Sequence, residues 1–180
     1  DGITTGYADI LIPICLEVCK RLNLPYYGTE EMINVSTDKA AFKRMCQKYD
    51  MPYPKTYKID NENFEIEAEK LEYPVFVKPM DSSGSRGAAV CNNKIEFVKQ
   101  YKLALTFSKS QNVIVEEYLT GTEFILDYLI IDGIPKLLSM FDRKVTKERP
   151  SAVNHANLLV APSENIKVFQ ENIHPKVANA

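Results

Sequence analysis

A lysine at the end of an apolar run, followed by a loop of small residues, is the feature of this chain with the clearest chemical potential. Residues 73–90 read YPVFVKPMDSSGSRGAAV, and Lys78 stands at the end of the run. Backbone N–H groups of such a loop can point at phosphate oxygens, and an ammonium group adds a compact positive charge. Gly84 and Gly87 allow backbone conformations that a side chain would block. The segment is therefore predicted to bind a polyphosphate, although a glycine-containing hairpin turn beside a solvated lysine gives the same pattern.

Two common phosphate-binding motifs do not fit this segment. A Walker loop ends in Gly-Lys-Ser or Gly-Lys-Thr, whereas Gly87 is followed by two alanines. A dinucleotide-binding fingerprint opens a helix, whereas the residues after Gly87 favour a strand. The remaining prediction is a loop between two antiparallel strands, folded over a nucleotide as a lid.

The elements that precede the loop are predicted from helical spacing and from capping residues. Apolar residues recur at helical spacing over residues 8–22, and a short strand is expected at residues 24–27. Ser36 is the predicted cap of the next helix. A strand at residues 56–59 and an acidic stretch with a short helix at residues 60–72 lead into the loop. The residues expected on the buried face of the Ser36-capped helix are Phe42, Met45, Cys46 and Tyr49.

The elements that follow the loop are one helix and a set of strands. Asn93 and Glu96 form a capping pair for a helix that runs to about Leu105. Asp132-Gly133 is a strong signal for a two-residue hairpin turn. The inner face of the helix is expected to carry Ile95, Val98, either Tyr101 or the stem of Lys102, and Leu105. The strands are expected at residues 113–118, 123–131 and 135–145.

Composition sets bounds on the possible functions. The 180 residues suit one domain or two small ones, and a hydrophobic fraction of 45% is enough for an ordinary core. A formal net charge of −2 argues against a dedicated nucleic-acid binder, and no apolar run is long enough to span a bilayer. The four cysteines have no further His or Cys pair at metal-ligand spacing, so buried reduced thiols and a cytoplasmic location are expected.

Four pieces of the sequence follow one another in a characteristic order. Asp38-Lys39 begins a helix that leads into DMPYPKTYKI, the lysine and loop segment comes next, and VIVEEYLTGTEF and a hairpin with Asp127 complete the series. This order and spacing closely resemble the ATP-grasp superfamily, particularly its carbamoyl-phosphate-synthetase-like and biotin-carboxylase-like branch. The resemblance covers about residues 1–160. It implies an α+β fold in which ATP lies between two α+β lobes.

The resemblance also implies roles for individual residues. Lys39 and Lys78 look like the two lysines that contact ATP phosphates, and Lys78 is the expected catalytic residue. Glu123 looks like the acidic residue near the ribose. The lid over the β- and γ-phosphates corresponds to Asp81, Ser82, Ser83, Gly84, Ser85, Arg86 and Gly87. The segment that binds adenine corresponds to Glu116, Glu117, Tyr118 and Leu119.

The implied organisation has three parts. Residues 1–34 resemble the end of a preceding α/β domain, residues 35–110 the N-terminal ATP-grasp lobe with its lid, and residues 111–180 the start of an incomplete C-terminal lobe. The implied partners are ATP, a small-molecule carboxylate acceptor and the remaining domains of a longer chain. Arg143 and His155 are the candidates for contacting a carboxylate or phosphate group of the acceptor.

The function implied by the resemblance is that of the ATP-binding portion of a carboxylate–amine or carboxylate–thiol ligase. In the family a carboxylate attacks the γ-phosphate, and a nucleophile captures the resulting acyl-phosphate. The Mg²⁺ ligands, an acidic residue and then a Glu-x-Asn pair, are not recognised before Ala180 and are expected beyond it. Because Mg²⁺ normally supplies much of the charge stabilisation, these residues alone are expected to bind adenine nucleotides weakly and to be inactive.

Two other functional classes remain open from the sequence. A non-catalytic adenine-nucleotide-binding module would keep the lid and the adenine segment but lack the metal ligands. A kinase-like phosphotransferase would share a strand lysine and a glycine loop, but it requires a catalytic Asp…Asn loop that we do not recognise after the adenine segment. A Glu-x-Asn strand beyond Ala180 would favour the ligase over the binding module.

Overall fold

The structure is a computed structural model that describes residues 2–6, 8–82, 84–145 and 156–179. The chain separates into two compact units, Asp1–Tyr53 and Pro54–Ala180. The helices of the first unit precede every strand, and both sheets belong to the second unit.

The first unit is built from helices whose starts are set by capping side chains. A 3₁₀ turn at Asp9–Leu11 leads into α1, Ile12–Arg21. Thr29 caps α2, Glu30–Thr37, by accepting a hydrogen bond of 3.2 Å from Met32 N. Asp38 caps α3, Lys39–Lys48, by accepting one of 2.5 Å from Ala41 N. Thr and Asp are both good caps because each offers an oxygen to an unpaired N–H group.

Two predictions for this unit are wrong. Ser36, the predicted cap of the third helix, lies within α2 and donates to the carbonyl of Ile33 at 2.9 Å. Asp38 takes the capping position because α2 continues to Thr37. The strand expected at residues 24–27 does not form, and the chain there is irregular.

The buried side of α3 is only partly as predicted. Ala41 and Cys46 are buried, whereas the longer side chains of Phe42 and Tyr49 are exposed. All four lie on one side of the helix, because successive residues turn by about 100°. Within this unit, the short side chains of Ala41 and Cys46 are buried and the aromatic rings are not. The prediction that the aromatic rings would be buried is wrong.

The first sheet of the second unit places the predicted loop between two antiparallel strands, as the sequence indicated. Its strands are β1, Thr56–Tyr57, β2, Val75–Pro79, β3, Ala89–Cys91, and β4, Val113–Glu117. Their order in the sheet is β1-β4-β2-β3, and every pairing is antiparallel. Thus β4 lies inside this sheet, although it follows the boundary predicted at residue 110. The predicted domain boundaries themselves stay predictions.

One face of this sheet is covered by helices. The short helix α4, Phe64–Glu67, continues into a 3₁₀ turn at Ala68–Lys70, and α5 spans Lys94–Phe107. Phe64 stacks on Tyr101 of α5 with ring centroids 4.6 Å apart. The buried residues of this core are Phe64, Ala68, Leu71, Val75, Val77, Cys91, Phe97, Tyr101, Ala104 and Val115. Burial of this apolar surface is the main source of stability for the sheet.

The start of α5 is predicted correctly, and so is most of its inner face, because Tyr101 is buried and Val98 and Leu105 pack against the core. Asn93 accepts a hydrogen bond of 3.0 Å from Glu96 N, as the capping pair requires. The buried residues of the helix are Phe97, Tyr101 and Ala104. Ile95, predicted to be buried, is exposed because it lies about 160° around the helix from Phe97.

The second sheet contains the predicted hairpin. Its strands are β5, Glu123–Ile131, β6, Ile134–Val145, and β7, Ala156–Val160, in the order β5-β6-β7. Asp132 and Gly133 both have positive φ, at 51° and 76°, which is the conformation of the predicted two-residue turn. The helices α6, Ile166–Asn172, and α7, His174–Ala178, follow. Nowhere in the described ranges is a helix long and apolar enough to cross a membrane.

Candidate functional site

The face of the first sheet that the helices leave uncovered carries a lysine–glutamate pair. Along β2 the side chains of Val75, Val77 and Pro79 are buried, so Phe76 and Lys78 lie on the opposite face. Glu116 of β4 is in register with Phe76. The Lys78 ammonium lies 2.7 Å from Glu116 Oε2 and 5.6 Å from the centre of the Phe76 ring. A carboxylate of β4 and a ring of β2 thus hold the lysine head group above this face.

The two members of this pair differ in their exposure to solvent. The Glu116 side chain is 5% exposed and the Lys78 side chain 23%. A carboxylate removed from water needs a cation or donors beside it, because transfer of an unpaired charge to the interior is costly. Lys78 supplies that charge, and its own partly exposed position leaves it accessible from the open face. Both residues were predicted for the site, but their pairing with each other was not.

The loop after β2 is a turn with several residues of positive φ in its described part. Gly84, Ser85 and Gly87 have positive φ at 64°, 59° and 72°. Ser82 Oγ donates to the carbonyl of Arg86 at 3.1 Å, which closes the turn on itself. Turns that mix left-handed and right-handed residues can direct their N–H groups to one side, as a concave site for anions requires. The predicted lid residue Ser83 lies outside the described residues.

The first end of the loop is attached to the turn after α5. Asp81 Oδ1 accepts a hydrogen bond of 2.8 Å from Ser108 Oγ, and Oδ2 accepts one of 2.9 Å from Ser110 N. Met80 N donates to the carbonyl of Asn112 at 2.9 Å. The hydroxyl of Ser108 holds the pKa of the Asp81 carboxyl below its usual range, since it favours the charged form. Both oxygens of this predicted phosphate ligand are therefore engaged within the protein.

The second end of the loop is attached to α5 itself. Gln100 Nε2 donates to the carbonyl of Gly87 at 2.8 Å. A methyl group at Gly87 would lie 2.8 Å from a Phe107 ring carbon, so the backbone there packs directly on the ring. Ser108, Ser110, Gln100 and Phe107 were not predicted for the site. No local sequence signal marks them, because each acts on a loop that lies at least 13 residues away.

The segment predicted to bind adenine uses several of its own polar groups to hold strands together. Glu117 N donates to the carbonyl of Lys55 at 3.0 Å, and Glu117 Oε1 accepts a hydrogen bond of 2.7 Å from Lys55 N. Tyr118 N donates to the carbonyl of Pro74 at 3.2 Å. Leu119 is exposed just beyond this point. The carboxylate of Glu117 thus anchors the chain before β1.

The carboxylate predicted near the ribose is held by the arginine predicted for the acceptor. Glu123 is directly opposite Arg143 in the β5–β6 register, and the two side chains form an ion pair. Further along the same hairpin, Ser139 Oγ donates a hydrogen bond of 2.5 Å to Asp127 Oδ2. Asp142 is buried and accepts a hydrogen bond of 2.5 Å from Ser163 Oγ, so it fixes the turn after β7.

Two predicted residues remain, and one of them belongs to the first unit. Lys39 is the first residue of α3, half-buried, in the first unit. His155 lies outside the described residues, like Ser83. In the parts of the chain that the structure describes, no three His, Cys, Asp or Glu side chains converge as metal ligands would. We therefore assign no magnesium ligand among them.

Comparison with known proteins identifies the family of this arrangement. Residues 38–175 match the family model described as "Carbamoyl-phosphate synthase L chain, ATP binding domain". The large chain of carbamoyl phosphate synthase from Clostridium botulinum is 29% identical over 176 residues, which are 96% of this chain and 16% of that protein. D-alanine–D-alanine ligase from Streptococcus pyogenes is 30% identical over 154 residues, which are 82% of this chain and 40% of that protein. The chain thus spans less than half the length of these relatives.

Solved structures share the fold at lower sequence identity. A complex of biotin carboxylase from Campylobacter jejuni with β,γ-ATP superposes with a TM-score of 0.72 at 20% identity, over 96% of this chain and 40% of that one. The VanG D-Ala:D-Ser ligase from Enterococcus faecalis superposes with a TM-score of 0.71 at 19% identity, over 89% of this chain and 49% of that one. The predicted ATP-grasp fold is confirmed.

Proposed function

Since the chain belongs to the carbamoyl-phosphate synthase L chain ATP-binding domain family of ATP-grasp proteins, we propose that it binds ATP on the open face of its first sheet. In the whole protein it would then serve as the ATP-binding portion of a carboxylate–amine or carboxylate–thiol ligase. The observation that carries this proposal is the Lys78–Glu116 pair beside a loop of positive-φ residues. Neither feature is needed to build the helix-covered core on the other face.

Phosphate binding falls to Lys78 and the loop in this proposal. The ammonium already lies above the open face, so it contacts a phosphate oxygen after a small side-chain movement away from Glu116. The N–H groups at Gly84, Ser85 and Gly87 would supply neutral donors to the same phosphate chain. Positive charge and fixed donors stabilise the charge that develops on a transferring phosphoryl group, which is the main task in this chemistry.

Adenine recognition falls to the end of β4. Because the N–H groups of Glu117 and Tyr118 already donate to the carbonyls of Lys55 and Pro74, we assign Leu119 N–H as the donor to adenine and a neighbouring carbonyl of the segment as the acceptor. The exposed Leu119 side chain offers apolar surface to the ring. In this proposal the Glu116 carboxylate, which accepts a hydrogen bond from Lys78, accepts one from the nucleotide instead when ATP binds. The ion pair would thus separate as ATP binds, each member taking a part of the ligand.

The reaction of the whole protein follows the chemistry of the family. A carboxylate of the acceptor attacks the γ-phosphorus of ATP, ADP leaves, and an amine or thiol then displaces phosphate from the acyl-phosphate. The residues described here would position ATP and neutralise its charge, and they perform no proton transfer in this scheme. Mg²⁺ would neutralise phosphate charge when bound to such a ligase, and no described residue of this chain is assigned to hold it. Arg143 and His155 remain the proposed acceptor contacts, with Arg143 reaching the acceptor only after it leaves Glu123.

The proposed setting is the cytoplasm, together with further domains of a longer protein. All four cysteines are free and buried, as the sequence predicted. Free thiols are typical of proteins in a reducing compartment. The relatives named above are more than twice as long as the matched region, which supports the proposal of further domains.

Calorimetric titration of the chain with ATP and with adenosine tests the proposal. Saturable ATP binding is expected, and Lys78→Met should weaken ATP binding about tenfold while leaving adenosine binding within about twofold. The matched control is Lys102→Met, which removes a lysine from an ion pair of the same 2.7 Å length on α5. Circular dichroism confirms that each variant is folded at the temperature used.

The titration has outcomes that count against the proposal. No binding of either compound by the unmodified chain would contradict it. Equal losses of ATP affinity for Lys78→Met and Lys102→Met would remove Lys78 from the site. ATP binding that never supports acyl-phosphate formation in the full-length protein would favour the non-catalytic nucleotide-binding module.

A further inference from the structure

The loop from Asp81 to Gly87, proposed above to bind phosphate, is attached to the protein at both ends, and its first anchor is a carboxylate. Asp81 accepts from the hydroxyl of Ser108 and from the N–H of Ser110, so two hydrogen bonds attach the start of the loop to the turn after α5. A hydrogen bond to an ionised acceptor is about twice as strong as one between neutral groups. The loop between Asp81 and Gly87 therefore starts from a defined point.

The anchoring residue on the other side is itself fixed. Ser108 is 3% exposed and donates to Asp81 while it accepts a hydrogen bond of 3.0 Å from Asn112 N. Asn112 in turn precedes β4 and accepts through its carbonyl from Met80 N. The contact of Asp81 thus joins the loop to the strand that carries Glu116. Any movement of the loop start would have to break this set of hydrogen bonds together.

The geometry is incompatible with a direct contact between Asp81 and a phosphate. Both carboxylate oxygens already accept hydrogen bonds from the protein. A carboxylate beside a phosphate oxygen is also repelled, since both are anionic and neither can donate. The residue that the sequence placed among the phosphate ligands has a different task in this arrangement.

We infer that Asp81 is a positioning residue, which sets the loop over the phosphates through Ser108 and Ser110 without touching the nucleotide. This inference rests on the proposed function for its ligand, but the anchoring itself concerns the protein alone. It follows that loss of the carboxylate should loosen the loop in the absence of any nucleotide. It also follows that loss of the carboxylate should weaken the binding of nucleotides with a long phosphate chain and leave the binding of compounds without one unchanged.

The first measurement is limited trypsin digestion of the nucleotide-free chain, with cleavage after Arg86 followed by mass spectrometry. Asp81→Ala is expected to raise the cleavage rate after Arg86 about tenfold, because local opening there no longer breaks two charge-assisted hydrogen bonds. Ser108→Ala is expected to raise it by a smaller factor, since Ser110 N still donates to Asp81. The matched control is Asp60→Ala, which removes a carboxylate that likewise accepts from one backbone N–H and one side chain, those of Glu62 and Asn63, which are not part of the loop.

The second measurement is titration of the same variants with ATP and adenosine. Asp81→Ala is expected to weaken ATP binding about fivefold and to leave adenosine binding unchanged. The milder variant Asp81→Asn keeps the acceptor for Ser108 and should give smaller changes in both measurements. It also serves if Asp81→Ala does not fold.

Three results would overturn the inference. One is a cleavage rate after Arg86 that does not change in Asp81→Ala or Asp81→Asn. Another is weaker ATP binding without faster cleavage, which would indicate a direct contact. The third is tighter ATP binding by Asp81→Asn, which would indicate that the charge faces the phosphates. If the unmodified chain binds no ATP, the proposed function fails while the digestion still decides the anchoring role.

Discussion

The Lys78–Glu116 pair gives a quantitative prediction, because its two members differ in burial. Lys78→Met leaves a carboxylate that is 5% exposed without its ammonium partner. Breaking a buried pair in this way costs about 3 kcal/mol. Glu116→Gln leaves an ammonium that is 23% exposed, which can regain water and an amide oxygen, so the expected cost is about 1 kcal/mol. The lysine substitution should therefore be the more destabilising.

The double variant Lys78→Met/Glu116→Gln completes the cycle. With both charges removed, no buried charge is left unpaired, and the expected loss is about 2 kcal/mol instead of the sum of about 4 kcal/mol. The coupling between the two side chains is then about 2 kcal/mol. Lys102 and Glu65 offer a matched cycle with the same N–O distance of 2.7 Å, but both side chains are more than half exposed. Their coupling should be below about 0.5 kcal/mol.

The measurement is urea denaturation followed by circular dichroism, with free energies of unfolding compared at equal slopes. Two results would refute the reasoning. One is equal destabilisation by Lys78→Met and Glu116→Gln, since the argument depends on unequal burial. The other is equal coupling in the buried and exposed cycles, which would show that distance alone determines the interaction.

Three further predictions concern the loop, the acid side and the thiols. Gly87→Ala should destabilise the protein by about 3 kcal/mol in urea denaturation, because a left-handed backbone and contact with the Phe107 ring both oppose the new methyl group. Gly84→Ala places its methyl group in open space at nearly the same φ, so it should cost only about 1 kcal/mol. The backbone N–H of Asn92 donates to the Glu96 carboxylate and lowers the pKa of that carboxyl. The contribution of Glu96 to stability is therefore present above the ordinary carboxyl pKa and is lost as the pH falls below about 4. Glu96→Gln should show a smaller loss of urea midpoint over that pH range than the unmodified chain, and an equal loss would contradict this prediction. Burial raises the pKa of the Cys91 thiol to about 12, so mass spectrometry should find Cys91 unmodified by a thiol reagent until urea unfolds the chain.

Local sequence patterns were reliable where one segment determines its own structure. The Asp132-Gly133 turn formed with positive φ at both residues, because few residue pairs tolerate that conformation as well. Asn93 capped α5 since its side chain reaches the N–H of Glu96 three residues on. The loop around Gly84 and Gly87 lies between antiparallel strands, as the apolar runs on either side predicted.

The same patterns failed where burial depended on the packing of distant elements. Helical spacing placed Ile95 on the inner face of α5, but the sheet covers the side with Phe97 and Tyr101. A good capping residue at Ser36 was not used because α2 continued through it to Asp38. Propensity ranks local options, and tertiary packing selects among them.

The sequence by itself determined the types of the candidate site residues and their order along the chain: a strand lysine, a glycine loop, an acidic strand end and a hairpin. Only the tertiary structure decided their partners. Lys78 and Glu116 lie 38 residues apart, and Asp81 and Ser108 lie 27 apart. The physical reason is that side-chain type and spacing are local properties, whereas an ion pair or an anchor requires the register of strands and turns that meet only after folding.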